Sequence, residues 1–152
     1  MNVNQMNAYL FNRLIHATHY LSETKLKNRL GKPLLRFLGW STLKIKNGKQ
    51  KGDIKSAAKE WQRMFPSNKM VPIVSEQAEM VIAEIHSECP YRGSGNLEGC
   101  YRMMEYDRRM VEHIGGEFTV LESQASVGNS KCVVAISTKA QREKLIDAHL
   151  ID

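Results

Sequence analysis

The hydrophobic periodicity changes twice in the second half of the chain, and this change constrains the fold more than any other feature. The run EQAEMVIAEIHSEC alternates as a half-buried β-strand does, with Val81, Ala83 and Ile85 on one side. Residues 97–114 instead place apolar side chains three and four positions apart, which predicts a helix, and Gly115–Gly116 fits its C-terminal cap. The runs EFTVLESQAS and KCVVAIST then return to strand-like composition. This order predicts an antiparallel sheet with helices packed on it.

The first half is predicted to be mainly helical. The run QMNAYLFNRLIHATHYL places five apolar side chains near one helix face: Met6, Tyr9, Leu10, Leu14 and Leu21. A second short helical piece is expected to end at Leu30–Gly31, before Pro33 disfavours helix. PLLRFLGW then begins another apolar run that ends at Gly39.

A turn and a helix start follow. Apolar residues and lysines alternate in the run TLKIKNGKQKGD up to Asn47–Gly48. This dipeptide predicts a lysine-rich β-hairpin. Asp53 is expected to cap the helix IKSAAKEWQRMF, which has Trp61 on its apolar face. A short helix over KAQREKLIDAHL closes the chain.

These elements predict one α+β domain over residues 1–152, with N-terminal helices over 1–40 and a ligand-binding core over 41–152. A chain of 152 residues can bury a core without disulfides. No apolar run approaches the length of a membrane span, and the start of the chain lacks signal-peptide features. Three cysteines, an odd number, favour free thiols in a reducing compartment, so we expect a cytoplasmic protein.

The net charge of +6 is unevenly distributed. Residues 1–75 carry 14 Lys or Arg against three acids, a balance of +11, and residues 76–152 carry eight against 13, a balance of −5. A basic half is compatible with a solvated surface, a nucleic-acid or anionic surface, or a homodimer that pairs the two halves. Nucleic-acid binding is disfavoured because the lysine-rich segment has no interleaved aromatic residues.

Cys100 and Asp107 are the candidate reactive groups of the predicted 97–114 helix. Cys100 lies near the helix N-terminus, where the dipole lowers a thiol pKa, although buried and inert cysteines are common. Asp107 lies in or beside the apolar stripe, so it is either paired with Arg108, Arg102 or Arg92 or part of a polar pocket. Both alternatives are open at this stage.

No metal or other cofactor is expected. His86, Cys89, Cys100 and Cys132 are suitable ligands for zinc, but their spacings match no standard zinc motif. In a straight strand, His86 and Cys89 also point to opposite faces.

The order of short motifs in the second half resembles a known family. A strand ending in ECP is followed by a glycine-containing loop, then CYRMMEYD at a helix start, GGEFTVLES, and a glycine four residues before Cys132. This order resembles the aminothiazoline-carboxylate hydrolase-like family and the related four-vinyl-reductase-type small-molecule-binding domains. The resemblance covers roughly residues 75 to 138, and the hydrolase pattern implies Cys89, Cys100, Asp107 and Cys132 as site residues.

The vinyl-reductase-type domains imply a structural zinc held by three cysteines and a glutamate. Cys100, Glu122 and Cys132 correspond approximately, but Ala125 stands near the position of the remaining cysteine. Zinc is therefore not expected in this chain.

Two functions follow from these residues. The first is hydrolysis of a carbon–nitrogen bond in a small substrate, cyclic or open-chain. Its proposed residues are Cys100 as nucleophile or thiol ligand, Asp107 or Glu105 as acid or base, and Arg92 or Arg108 as carboxylate anchor. The alternative is a non-catalytic domain that binds a hydrophobic ligand. The expected ligand-binding residues are Cys89, Arg92, Tyr101, Met104, Arg108 and Cys132. In the non-catalytic alternative, the pocket is expected to be lined by Tyr101, Met103, Met104, Phe118 and Val120.

Overall fold

The computed structural model describes residues 3–23 and 30–150, with side chains described from residue 9 onward. Its helices are α1 Val3–Glu23, α2 Lys32–Ile45, α3 Ile54–Gln62, α4 Leu97–Met103, α5 Glu105–Ile114 and α6 Lys139–Arg142, with a 3-10 turn at Asn68–Met70. Four strands form one antiparallel sheet in the order β1-β2-β4-β3: β1 Ile73–Glu76, β2 Met80–Ile85, β3 Glu117–Glu122 and β4 Cys132–Ser137. The predicted α+β class is confirmed.

The core lies between one face of this sheet and helices α3 and α5. The alternation predicted for β2 is confirmed, because its buried side chains are Val81, Ala83 and Ile85. Helix α3 contributes the fully buried Trp61, and α5 contributes Met110, Val111 and Ile114. Helix α2 packs against α5, and α1 packs against α4 and α2.

The β-hairpin predicted at Asn47–Gly48 is wrong. Helix α2 continues to Ile45, and the dipeptide ends this helix instead. Asn47 adopts a left-handed conformation (φ 51°), and the Gly48 N–H donates to the carbonyl oxygen of Leu43. Asparagine and glycine both tolerate this conformation, which helix C-caps and tight hairpin turns require alike.

The apolar run that begins at Pro33 was expected to end at Gly39, but α2 runs through this residue. A Cβ atom at position 39 would lie 2.5 Å from the Tyr106 carbonyl oxygen of α5. The glycine therefore marks a close approach of two helices. The boundary expected at residue 40 falls inside α2.

The helix predicted over 5–21 is present as α1, but its buried face differs from the prediction. Tyr9 and Leu10 are exposed, while Leu14 packs against the core. The side chain of Met6 and most of the piece expected before Leu30–Gly31 lie outside the described residues. In the described ranges, no helix combines the length and apolar character that crossing a bilayer requires.

The predicted 97–114 helix is divided at Met104 into α4 and α5. Its C-terminal glycine cap is confirmed, since Gly115 is left-handed and its N–H donates to the Val111 carbonyl oxygen. The closing helix is shorter than expected, because α6 ends at Arg142. Strand β1 has no counterpart among the predicted elements, since it is a short edge strand without clear alternation.

Candidate functional site

A mainly apolar cavity of about 60 Å³ lies between α1 and the junction of α4 with α5. Helix α1, the segment after α3, the end of β2, the helix junction and the start of β4 all contribute to its wall. The lining residues are Phe11, Leu14, Ile15, Thr18, Phe65, Ile85, Ser87, Glu88, Cys89, Met103, Met104, Tyr106, Asp107, Gln124 and Cys132. Cys89, Met104, Asp107 and Cys132 are among the site residues expected from the sequence.

Asp107 is the acidic group of the cavity that has a strongly shifted pKa. Its Oδ1 accepts a hydrogen bond from Trp61 Nε1 at 3.0 Å. Burial raises the pKa of Asp107 to about 6, although the Trp61 hydrogen bond and the Arg108 charge act in the opposite direction. Among the described residues, no basic side chain forms an ion pair with this carboxylate. Of the two alternatives for Asp107, the described residues therefore fit the polar group of a pocket and not an ion pair with an arginine.

Trp61 is held by neighbouring aromatic rings. Its ring contacts Phe65 at a centroid distance of 4.9 Å and Phe118 at 5.8 Å, and Phe65 contacts Phe11 of α1 at 5.6 Å. This aromatic cluster connects the Asp107 hydrogen bond to the α1 wall of the cavity. The sequence placed Trp61 on a buried helix face but contained no local signal that paired it with Asp107.

The three thiols lie at different depths. Cys89 is half-buried and Cys132 is buried, and both line the cavity. Cys100 is fully buried behind the cavity wall, with its Sγ 3.4 Å from Ser123 Oγ. Of the four residues that the resemblance implies, Cys89, Asp107 and Cys132 line the same cavity, whereas Cys100 does not.

The expectation that a helix N-terminus lowers the Cys100 pKa is wrong. Burial raises the pKa of Cys100 to about 12 and that of Cys132 to about 11, and burial also raises the pKa of Cys89. Desolvation outweighs the helix dipole because the thiolate would have no water around it. These thiols are protonated near neutral pH, which does not favour Cys100 as a nucleophile.

Glu105 and Arg108 belong to a separate network of ion pairs. Glu105 is buried and pairs with Arg36 at 3.1 Å and with Arg108 at 3.5 Å. Arg108 also pairs with Asp147 at 3.0 Å and lies 4.1 Å from the ring centroid of Tyr101. Glu105, Tyr101 and Arg108 line a different, polar cleft, so the structure does not bring them to the cavity.

Arg92 is also directed away from the cavity. Its Nε donates to Gln124 Oε1 at 2.9 Å, and its Nη2 donates to the Ser130 carbonyl oxygen at 3.1 Å. Gln124 itself lines the cavity and donates from Nε2 to the carbonyl oxygens of Ile85 and Ser87, both at 3.1 Å. These bonds fix the end of β2 beside Cys89. Gln124 was not predicted as a site residue, because its role depends on the folded loop.

Ligands for a metal ion are not assembled in the part of the chain that the structure describes. Within residues 3–23 and 30–150, no group of three His, Cys, Asp or Glu side chains is arranged to hold a metal ion. His86 Nε2 lies 2.7 Å from Glu84 Oε2, on the side of β2 opposite the buried residues. Glu122 is exposed at the end of β3.

The chain was compared with models of protein families, with curated proteins and with solved structures, and no match was found. The resemblance to the hydrolase-like family therefore stays a prediction.

Proposed function

We propose that this protein binds a compact, mainly apolar small molecule that carries a hydrogen-bond donor or a positive charge. The observation that carries the proposal is the position of Asp107 in the wall of a mainly apolar cavity, with the Trp61 indole as its hydrogen-bond donor. Apolar walls with a small number of oriented polar groups are typical of small-molecule sites.

The size of the cavity limits the ligand. One water needs roughly 10–15 Å³ of such volume, so about 60 Å³ corresponds to about four to six water-sized spheres. A small ring or a short branched chain is the expected size class. A larger ligand would have to displace Phe11, Leu14 or Ile15 of α1.

The charge of Asp107 determines the polar part of the ligand. Above its pKa of about 6 the carboxylate is ionised and has the Trp61 indole as its hydrogen-bond donor. A cationic or N–H-bearing ligand would compensate this charge, whereas an anionic ligand would add to it.

A matched ligand series tests the proposal. Cyclopentylamine, cyclopentanol and cyclopentanecarboxylate share a ring and differ in charge, and their binding can be compared by calorimetry. We expect the amine to bind best and the carboxylate worst. Asp107→Asn should remove the preference for the amine, and equal binding of all three by the original protein would contradict the proposal.

A second candidate function is hydrolysis of a small cyclic amidine. The Asp107 pKa of about 6 supports this function, because a general acid or base works best when its pKa lies near the ambient pH. With an amidinium substrate, the Asp107 carboxylate would take one proton from the attacking water as the water oxygen bonds to the amidine carbon. Asp107 would pass this proton to the ring nitrogen as the ring C–N bond breaks. The remaining hydroxyl would become the amide carbonyl, and its proton would go to the released amine.

An aminothiazoline carboxylate is the substrate class that the resemblance implies. Turnover that is lost in Asp107→Asn and retained in Cys100→Ala would support hydrolysis by Asp107. If the original protein binds the amine but shows no turnover, hydrolysis is excluded and only the binding function remains.

A further inference from the structure

Helix α2 carries apolar side chains on its outer face as well as on its buried face. Leu35, Gly39 and Leu43 are buried on the inner side. On the outer side, four large apolar side chains are between 36% and 84% exposed: Leu34, Phe37, Trp40 and Ile45. Leu30 extends this row by one turn and is also exposed. Leu30, Leu34, Phe37 and Trp40 follow one another at three- and four-residue spacing, and Ile45 lies one turn after Ser41 on the same side. These five apolar residues are here called the α2 outer face.

The composition of the α2 outer face is typical of an interaction surface. Phe37 and Trp40 contact each other at a ring-centroid distance of 5.7 Å. Isolated exposed apolar residues are common on soluble proteins, but a contiguous apolar patch with a polar rim usually marks a site of interaction.

The sequence segment that contains α2 is strongly basic. Residues 24–52 contain nine Lys or Arg and no Asp or Glu. Lys44 lies over the Trp40 ring at 5.7 Å from its centroid, and Lys49 is exposed beyond the end of α2. Glu112, which contacts α2 from α5, already pairs with Arg36. The partner of this surface is therefore expected to be apolar and negatively charged.

We propose that the α2 outer face binds the surface of an anionic lipid bilayer. Leu34, Phe37 and Ile45 would enter the boundary between headgroups and acyl chains, and Trp40 would lie at the headgroup level, where its ring is favoured. Lys44 and Lys49 would contact lipid phosphates. This surface is separate from the cavity, so the inference does not depend on the proposed ligand.

The same features argue against two other partners. A symmetric pair of chains would place two basic α2 helices against each other without a counter-charge. A head-to-tail pair would have to close into a ring or continue as a filament to cover every α2 outer face. A nucleic acid would neutralise the lysines, but its phosphate backbone would leave Leu34 and Ile45 exposed. A bilayer of anionic lipids satisfies both the apolar and the basic side chains.

The two tryptophans provide a direct test. Trp61 is fully buried, whereas Trp40 is exposed, so a change in fluorescence on adding vesicles reports mainly on Trp40. With vesicles that contain phosphatidylglycerol, we expect a blue shift and co-sedimentation, both weakened by salt. Vesicles of phosphatidylcholine alone should produce much less of either. Equal binding to both vesicle types, or binding to neither, would overturn the proposal.

Paired variants separate the apolar and the basic contributions. Phe37→Ser with Ile45→Ser should abolish the blue shift, and Lys44→Glu with Lys49→Glu should weaken binding by roughly tenfold or more. The matched controls are Val127→Ser, which removes a side chain as exposed as Ile45, and Lys144→Glu in the acidic half. Circular dichroism verifies that each variant is folded. Light scattering that shows a dimer dispersed by Phe37→Ser would identify a second copy as the occupant and would also overturn the proposal.

Discussion

Trp61 of α3 donates a hydrogen bond from its indole nitrogen to Asp107 of α5, across 3.0 Å and 46 positions of sequence. This bond joins the two helices that cover the sheet, and it lies in the wall of the cavity. It holds a carboxylate in an apolar setting without an ion-pair partner among the described residues. The chemistry of the cavity therefore depends on the protonation of Asp107.

The pH dependence of stability should report on Asp107. Burial raises its pKa from 3.8 to about 6, so between these values the folded state holds a proton that the unfolded state has lost. Stability therefore falls as the pH rises through this window, by on the order of 3 kcal/mol, and changes little above it. Asp107→Asn should remove this contribution and be the more stable protein above pH 6.

Urea unfolding at a series of pH values measures this difference. The comparison of the two proteins cancels the titration of other groups, because only position 107 differs. A constant difference in the free energy of unfolding between pH 4 and 7 would show that the Asp107 pKa is not raised.

The three cysteines should react with a thiol reagent at very different rates. Cys89 is half-buried, whereas Cys100 and Cys132 are buried with pKa values of about 12 and 11. A disulfide reagent near neutral pH should therefore modify Cys89 first, and Cys100 and Cys132 only after unfolding. Cys89→Ser should remove the fast phase. Rapid modification of Cys100 in the folded protein would instead restore it as a candidate nucleophile.

Gly39→Ala should destabilise the packing of α2 on α5. Alanine normally favours a helix over glycine by about 1 kcal/mol. Here its Cβ would meet the Tyr106 carbonyl oxygen at 2.5 Å, so we expect a net loss of about 1–3 kcal/mol. Gly52→Ala is the control, since a Cβ there meets nothing within 4 Å. Equal stability of the two variants in thermal unfolding would show that the helices can separate without cost.

Asp147 should hold the C-terminal segment to the rest of the fold. Although burial opposes its ionisation, hydrogen bonds from His149 and the Arg108 charge lower the pKa of Asp147 to about 2. Asp147→Asn would leave Arg108 with a weaker partner in a buried setting, at a cost on the order of 3 kcal/mol. Denaturant unfolding measures this cost, with the exposed Glu143→Gln as control. A similar midpoint for both variants would show that the ion pair contributes little.

The parts of the fold that local patterns encode were predicted from the sequence. Alternation identified β2 and its buried side, and Asp53 caps α3 through a hydrogen bond from the Ser56 N–H, as expected. Each of these features depends on neighbours within a few positions. Asn47–Gly48 was misassigned because the same backbone conformation ends a helix and closes a hairpin.

The candidate site was predicted only in part, because its electrostatics depend on tertiary packing. The helical wheel placed Asp107 in or beside an apolar stripe, and the family resemblance implied Cys89 and Cys132 as site residues. The Trp61 hydrogen bond requires α3 to pack on α5, and the depth of Cys100 requires Ser123 from another segment. Arg92 and Arg108 were plausible anchors for a ligand carboxylate, but in the fold Arg92 binds Gln124 and Arg108 pairs with Asp147.

The most direct test of the proposed cavity is an NMR titration with cyclopentylamine, performed well above the Asp107 pKa of about 6. The indole N–H signal of Trp61 reports on the Asp107 hydrogen bond, and that of the exposed Trp40 is an internal reference. We predict that the Trp61 signal shifts saturably, that the Trp40 signal does not, and that Asp107→Asn abolishes the shift. An unchanged Trp61 signal, or the same shift in Asp107→Asn, would contradict a ligand site at this carboxylate.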